Sequence, residues 1–219
     1  MSRPPRVGSR ARRSGAITVG GVAFERRELL DLGAAWLALA VAFTLFLETP
    51  ASIESVADLR GLGPTLLVSL LAVGTGFLLH ELAHKITAVR FGQVAGFRAS
   101  YPMLGFAIAS GLAGFLFAAP GAVYHRGRIG VRERGLVAVA GPVTNLGLVV
   151  AFAPLALAPG LAGEIGRWGV LVNAFLAAFN MLPAGPLDGK TVLAWSKPVF
   201  GLVLAVAVAA TGAAVLAFV

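Results

Sequence analysis

The sequence predicts an all-α polytopic membrane protein of about five to six transmembrane helices, with a short membrane-associated strand and a re-entrant segment. Three observations lead there. Of the 219 residues, 58% are hydrophobic and 13% charged, against about 25% charged in a soluble domain. Mean hydropathy is +0.86. The apolar residues fall in runs close to the ~20 residues that a helix needs to cross a ~30 Å hydrocarbon core. Lys and Arg cluster at alternate ends of those runs, as the positive-inside rule requires.

The chain divides into a basic N-terminal tail, residues 1–28, and a membrane-embedded unit, residues 29–219, whose core is 64–190. Seven arginines (Arg3, Arg6, Arg10, Arg12, Arg13, Arg26 and Arg27) fall in the first 27 residues and account for most of the net charge of +8. This reads as a cytoplasmic tail touching anionic membrane lipid, with no nucleic-acid role. Arg12-Arg13 is no export signal, because the Gly-rich stretch that follows lacks an apolar core. Cysteine is absent, which excludes disulfides and thiolate metal ligands.

In order, residues 1–15 read as disordered and Ala16–Phe24 as a short strand or extended lead-in. Leu29–Leu47 is the first span, running outward and interrupted by Asp31. Glu48–Gly63 reads as an outer loop. Pro64 then starts a helix that returns inward, with Gly74 and Gly76 admitting a close neighbour and Gly92 stopping it. Val94–Tyr101 has strand character. Met103–Val123 is long enough to cross, but arginines flank both ends (Arg90 and Arg98 before; Arg126, Arg128, Arg132 and Arg134 after). A re-entrant hairpin keeps both flanks on one side. Leu136–Leu157 runs outward, Ala158–Gly169 turns, Val170–Leu182 returns, and Val199–Val219 is a last span. Trp36, Trp168 and Trp195 sit near span ends, as interfacial anchors do.

The chemistry is concentrated in Phe77-Leu78-Leu79-His80-Glu81-Leu82-Ala83-His84, preceded by the uncharged stretch Pro64–Leu79. Histidines at i and i+4 share one helix face and can reach one metal ion, while Glu81 lies about 100° around the helix, toward a metal-bound water. A catalytic zinc usually takes three protein ligands and leaves one position open. The third must lie at the same depth on the same side. Asp188 does, following an inward-running span as His84 ends one, and it is preferred to His125 and Glu133, which fall in a basic loop.

His-Glu-Leu-Ala-His at the end of one apolar span, with Asn180-Met-Leu-Pro-Ala-Gly-Pro-Leu-Asp188-Gly189 at the end of a later one, resembles the site-2 protease family of intramembrane zinc metalloproteases. The resemblance covers residues 64–190. It implies one zinc ion per chain on His80, His84 and Asp188, with Glu81 as the catalytic base. It implies that Asn180 contacts substrate or the developing oxyanion. Asn145, in a Gly141-x-x-x-Asn145 segment similar to the family's, has a weaker claim and reads first as an interhelical hydrogen bond. The PDZ and nucleotide-binding domains of some family members have no room here.

The function expected is regulated intramembrane proteolysis: hydrolysis of peptide bonds within or near transmembrane segments of a membrane-protein substrate. The protein is expected as an integral multi-pass cell-membrane protein with a cytoplasmic N-terminus and an active site near the cytoplasmic face. Two other readings compete, a metal-dependent transporter and a catalytically inactive scaffold. A transporter has no use for Glu81 beside an open metal position, and a dead scaffold has no use for all four residues intact.

Overall fold

The computed structural model describes residues 16–48 and 56–219. The 1–15 tail and residues 49–55, part of the expected outer loop, lie outside the described residues. Strands β1 (Ile17–Val19) and β2 (Val22–Phe24) precede α1 (Arg26–Leu47), α2 (Val56–Ser69), a π-helical turn (Leu70–Gly74) and α3 (Thr75–Arg90). Strand β3 (Val94–Ala99), α4 (Tyr101–Leu112) and β4 (Gly121–Arg126) follow, then α5 (Val131–Ala156), α6 (Gly160–Asn180), α7 (Asp188–Trp195) and α8 (Lys197–Phe218). By length and composition, four helices among the described residues can cross a membrane: Arg26–Leu47, Leu62–Arg90, Val131–Ala156 and Lys197–Phe218. The fifth long helix, α6, carries Glu164, Arg167 and Asn173, which lower its hydropathy.

Ala16–Phe24, expected as a short strand or extended lead-in, contains a hairpin, β1 paired antiparallel with β2. Gly20 and Gly21, at φ +56° and +80°, make the two-residue turn whose backbone only such residues adopt cheaply. Lys85 on α3 ties this hairpin down, donating to Ala23 O at 2.8 Å and sitting 3.7 Å from the centroid of the Phe24 ring.

Two acids inside α1, Glu28 and Asp31, are buried on one helix face three residues apart. Glu28 accepts from Lys85 Nζ at 2.6 Å on both oxygens and from Phe97 N–H at 3.0 Å. Asp31 accepts from Ala99 N–H at 3.3 Å and from Tyr101 Oη at 2.8 Å. The edge of β3 that faces away from β4 is thus satisfied by α1 carboxylates. Phe97 completes the joint, its ring edge-on to Phe77 within the cluster Leu32, Ala35, Leu39 and Leu104.

Lys85 is 1% exposed and Glu28 6%. Removing one partner of a buried ion pair strands the other charge. Lys85→Met is expected to lower stability by about 3–5 kcal/mol in denaturant unfolding, with Glu28→Leu in the same chain recovering part of the loss. Tyr101 has its pKa raised above the ordinary tyrosine value, first by the hydrogen bond to Asp31 and then by burial. A raised pKa contributes stability in full below the unfolded-state value of ~10 and loses it as pH climbs through the folded one. Unfolding titrations above pH ~10 should therefore show a destabilisation that Tyr101→Phe flattens.

The 103–123 segment does not cross. Ser100 N–H bonds Pro120 O at 2.9 Å, so its ends meet, and Gly114 at φ +81° reverses the chain after α4. Between them α4 runs beside α1, from Asp31 at Tyr101 to Ala42 at Gly111, where a Cβ would lie 2.3 Å from Ala42 O. The return leg becomes β4, which pairs antiparallel with β3 over Val94↔Arg126 to Ala99↔Gly121.

Two boundaries are corrected by the structure. Pro64 does not start its helix, since α2 begins at Val56 and holds Pro64 inside it. The expected turn at 158–169 is mostly helix. Gly163, Gly166 and Gly169 look like loop glycines, but each admits a neighbour: an added Cβ would lie 2.0 Å from Ala158 O, 2.1 Å from Ala156 N and 2.3 Å from the Phe152 ring. They are the contact stripe by which α6 packs on α5. The tryptophans also make packing contacts. Trp36 donates to Leu70 O in the π turn at 3.0 Å and fills the space over Gly74, Trp168 meets Phe43 edge-on, and Trp195 lies over Gly135.

Candidate metal centre

Helix α3 places His80 and His84 one turn apart, with ring centroids 4.6 Å apart. Asp188 arrives from more than a hundred residues away. After α6 the chain turns through Gly185 at φ +53°, and Gly189 packs so tightly on Met181 that a Cβ would lie 2.0 Å from its carbonyl oxygen. That contact swings the first residue of α7 toward α3. Val192 and Met181, both fully buried with Ala138, Val139 and Val203, hold α7 there.

The result is a cage of three ligand atoms. His80 Nε2 and His84 Nε2 each lie 3.3 Å from Asp188 Oδ2 and 3.0 Å from one another. His80, His84 and Asp188 can offer one ligand atom each within 4.8 Å. Asp188 Oδ2 is buried without a hydrogen-bond partner.

The outer nitrogens define what faces inward. His84 Nδ1 lies 2.8 Å from Val137 O on α5. A carbonyl only accepts, so Nδ1 carries the proton and neutral His84 turns a lone pair inward. His80 Nδ1 lies 2.5 Å from Asn145 Oδ1. With both rings neutral, two Nε2 lone pairs and the Asp188 carboxylate converge on one point, a donor set that fits a cation. Gly141 on α5 keeps the space open: a Cβ there would lie 2.5 Å from His84 Nε2 and 2.6 Å from His80 Nε2. Two imidazoles, one carboxylate and second hydrogen bonds on both rings fit a catalytic zinc site.

A protein of Methanocaldococcus jannaschii named "Putative zinc metalloprotease MJ0611" is 40% identical over 186 residues, covering 82% of this chain and 90% of that protein. The chain belongs to the site-2 protease family of zinc metalloproteases. A Mycobacterium tuberculosis protein named "Putative zinc metalloprotease Rip3" is 32% identical over 130 residues, which are 57% of this chain and 28% of that one. No protein-family model and no solved structure matches the chain.

In this site-2 protease relative the ligands expected from sequence, His80, His84 and Asp188, lie together, with Glu81 beside them on α3. The carboxylate of Glu81 accepts from Val123 N–H on β4 at 3.1 Å, so the re-entrant hairpin reaches the motif helix. Asn145, expected as an interhelical hydrogen bond, holds His80. Asn180 is outside the cage, its amide donating to Leu176 O on its own helix at 3.0 Å. His125 is exposed on β4, and Glu133 accepts from Gly130 N–H at 2.6 Å at the start of α5. Neither joins the cage. Val137, Asn173 and Val123 escape a reading of the sequence, because two act through backbone atoms and the third is one polar residue in an apolar helix.

Proposed function

We propose that the protein is an intramembrane zinc endopeptidase that hydrolyses peptide bonds within or beside transmembrane segments of membrane-protein substrates. The observation that carries this reading is a His-His-Asp cage with an adjacent glutamate, built on a helix that belongs to a 29-residue apolar span. Arg90 at the end of α3 and Lys190 near the start of α7, with Arg98 and Arg126 on the adjoining hairpin, support a cytoplasmic placement of the site and of the N-terminus.

When bound, zinc supplies Lewis acidity, acidifying a coordinated water and polarising the scissile carbonyl. Glu81 accepts the proton of the attacking water on its carboxylate and delivers it to the departing amine nitrogen. The Nδ1 hydrogen bonds to Asn145 and Val137 keep both imidazoles aimed inward through that exchange. Asn180 retains one amide hydrogen beyond that given to Leu176 O, and its role in this reading is to steady the oxyanion.

A helical substrate hides its carbonyls and must unwind before attack. β-Addition offers the unwound stretch a partner. The strand suited to it is β4 rather than β3, whose two edges are taken by β4 and by the α1 acids. The pairing register turns the backbone groups of Gly121, Val123 and His125 away from β3, and the Val123 N–H meets Glu81 on the motif helix. The test is purified protein in detergent, assayed for bound zinc and for cleavage of a single-span substrate. Cleavage that stops with chelator and returns with zinc is expected, and cleavage indifferent to chelation would overturn the reading.

A further inference from the structure

The His80 side of the cage depends on a residue that touches neither the metal ligands nor the catalytic glutamate. We infer that Asn173, on α6, is a positioning residue that selects the metal-binding tautomer of His80 through Asn145. The chain of constraints begins at a backbone carbonyl. Asn173 Nδ2 donates to Gly169 O at 2.8 Å, and a carbonyl only accepts. That fixes which end of the Asn173 amide is which and leaves Oδ1 pointing at Asn145.

Asn173 Oδ1 in turn accepts only, so Asn145 must present Nδ2, which it does at 2.8 Å. A second donation from the same nitrogen reaches Gly76 O at 3.3 Å. The atom of Asn145 left for His80 is Oδ1, at 2.5 Å from Nδ1. His80 therefore donates from Nδ1 and keeps its Nε2 lone pair for the cage. Were the Asn145 amide reversed, its NH₂ would face His80 Nδ1 and drive the proton onto Nε2, where the metal must bind.

Packing enforces the arrangement. Asn145 and Asn173 are both 0% exposed, so neither has water as an alternative partner. Gly76 is where α3 makes room: a Cβ there would lie 2.5 Å from Asn173 Oδ1. Without Asn173, Asn145 still has Gly76 O as a weak guide, but it loses the closer acceptor that sets its direction. The relay thus runs α6 to α5 to α3 and converts a helix carbonyl into the tautomer of a metal ligand.

The inference rests on the metal reading of the cage, and two readouts separate their failures. In metal-free protein with ¹⁵N-labelled histidine, His80 should carry its neutral-form proton on Nδ1, and Asn173→Leu should give a mixture of tautomers. In chelator competition, Asn173→Leu should weaken zinc binding by about 10- to 100-fold. The decisive variant is Asn145→Asp with Asn173→Leu. A carboxylate accepts whichever way it turns, so it needs no orienting neighbour, and it should restore most of the lost affinity. A merely packing role for Asn173 predicts no rescue. Wild-type affinity in Asn173→Leu, absence of rescue, or His80 protonated on Nε2 in the wild-type protein each overturns the proposal. Wild-type protein that binds no zinc but keeps the Nδ1 proton would sink the metal reading and leave the tautomer relay standing.

Discussion

Glu81→Gln is expected to stop peptide cleavage while the protein keeps its zinc ion. Glutamine matches glutamate in shape, and its amide oxygen can still accept from Val123 N–H, so the contact between α3 and β4 survives. What it cannot do is take a proton from water. Loss of a positioned general base costs about 10²–10⁴ in rate. The metal ligands are untouched, so zinc content and the unfolding transition should match the parent. The measurement is turnover of a single-span substrate beside metal analysis of the same preparation. Wild-type cleavage by this variant would remove Glu81 from the mechanism.

Gly141→Ala is expected to empty the metal site. Two effects oppose each other. Alanine is favoured over glycine inside a helix by about 1 kcal/mol, and α5 taken alone would gain from the change. The new methyl carbon, however, would sit 2.5 and 2.6 Å from the two imidazole nitrogens, in the space that zinc requires at bonds of about 2.0–2.1 Å. Zinc binding is worth roughly 10 kcal/mol or more in sites that need it to fold, so the steric loss outweighs the propensity gain. Neither imidazole can retreat freely, because Val137 O and Asn145 hold them from behind. Zinc stoichiometry measured after purification should fall from one per chain to near zero, in a protein that still unfolds cooperatively. A full complement of zinc in Gly141→Ala would show that α5 does not border the cage as described.

These expectations depend on parts of the molecule that were unequally legible in the chain. The motif helix could be read directly, because histidines four residues apart meet by helical period alone. Asp188 could be chosen by depth and side, since both are set by the order of apolar runs. The re-entrant hairpin could be inferred from charge, as arginines on both flanks of 103–123 resist a single crossing. The turn expected at Ala158–Gly169 was not legible, because most of it is helix. Gly163, Gly166 and Gly169 are indistinguishable in sequence from loop residues until α5 is known to lie against them. Glu28 and Asp31 looked like a border and an interruption of the first span. In the fold they close the open edge of a strand some seventy residues away.

By itself the chain determined a membrane protein, its zinc-type motif and the side on which a third ligand must lie, because hydropathy, helical period and charge asymmetry are local quantities. Tertiary structure alone decided which atoms support that site: the Val137 carbonyl behind His84, the two asparagines behind His80, the bare Cα of Gly141 in front, and the strand held by Glu81. The physical reason is that these contacts are made by backbone atoms, by missing side chains and by uncharged amides. Such groups carry little signal in a sequence and acquire direction once helices are packed around them.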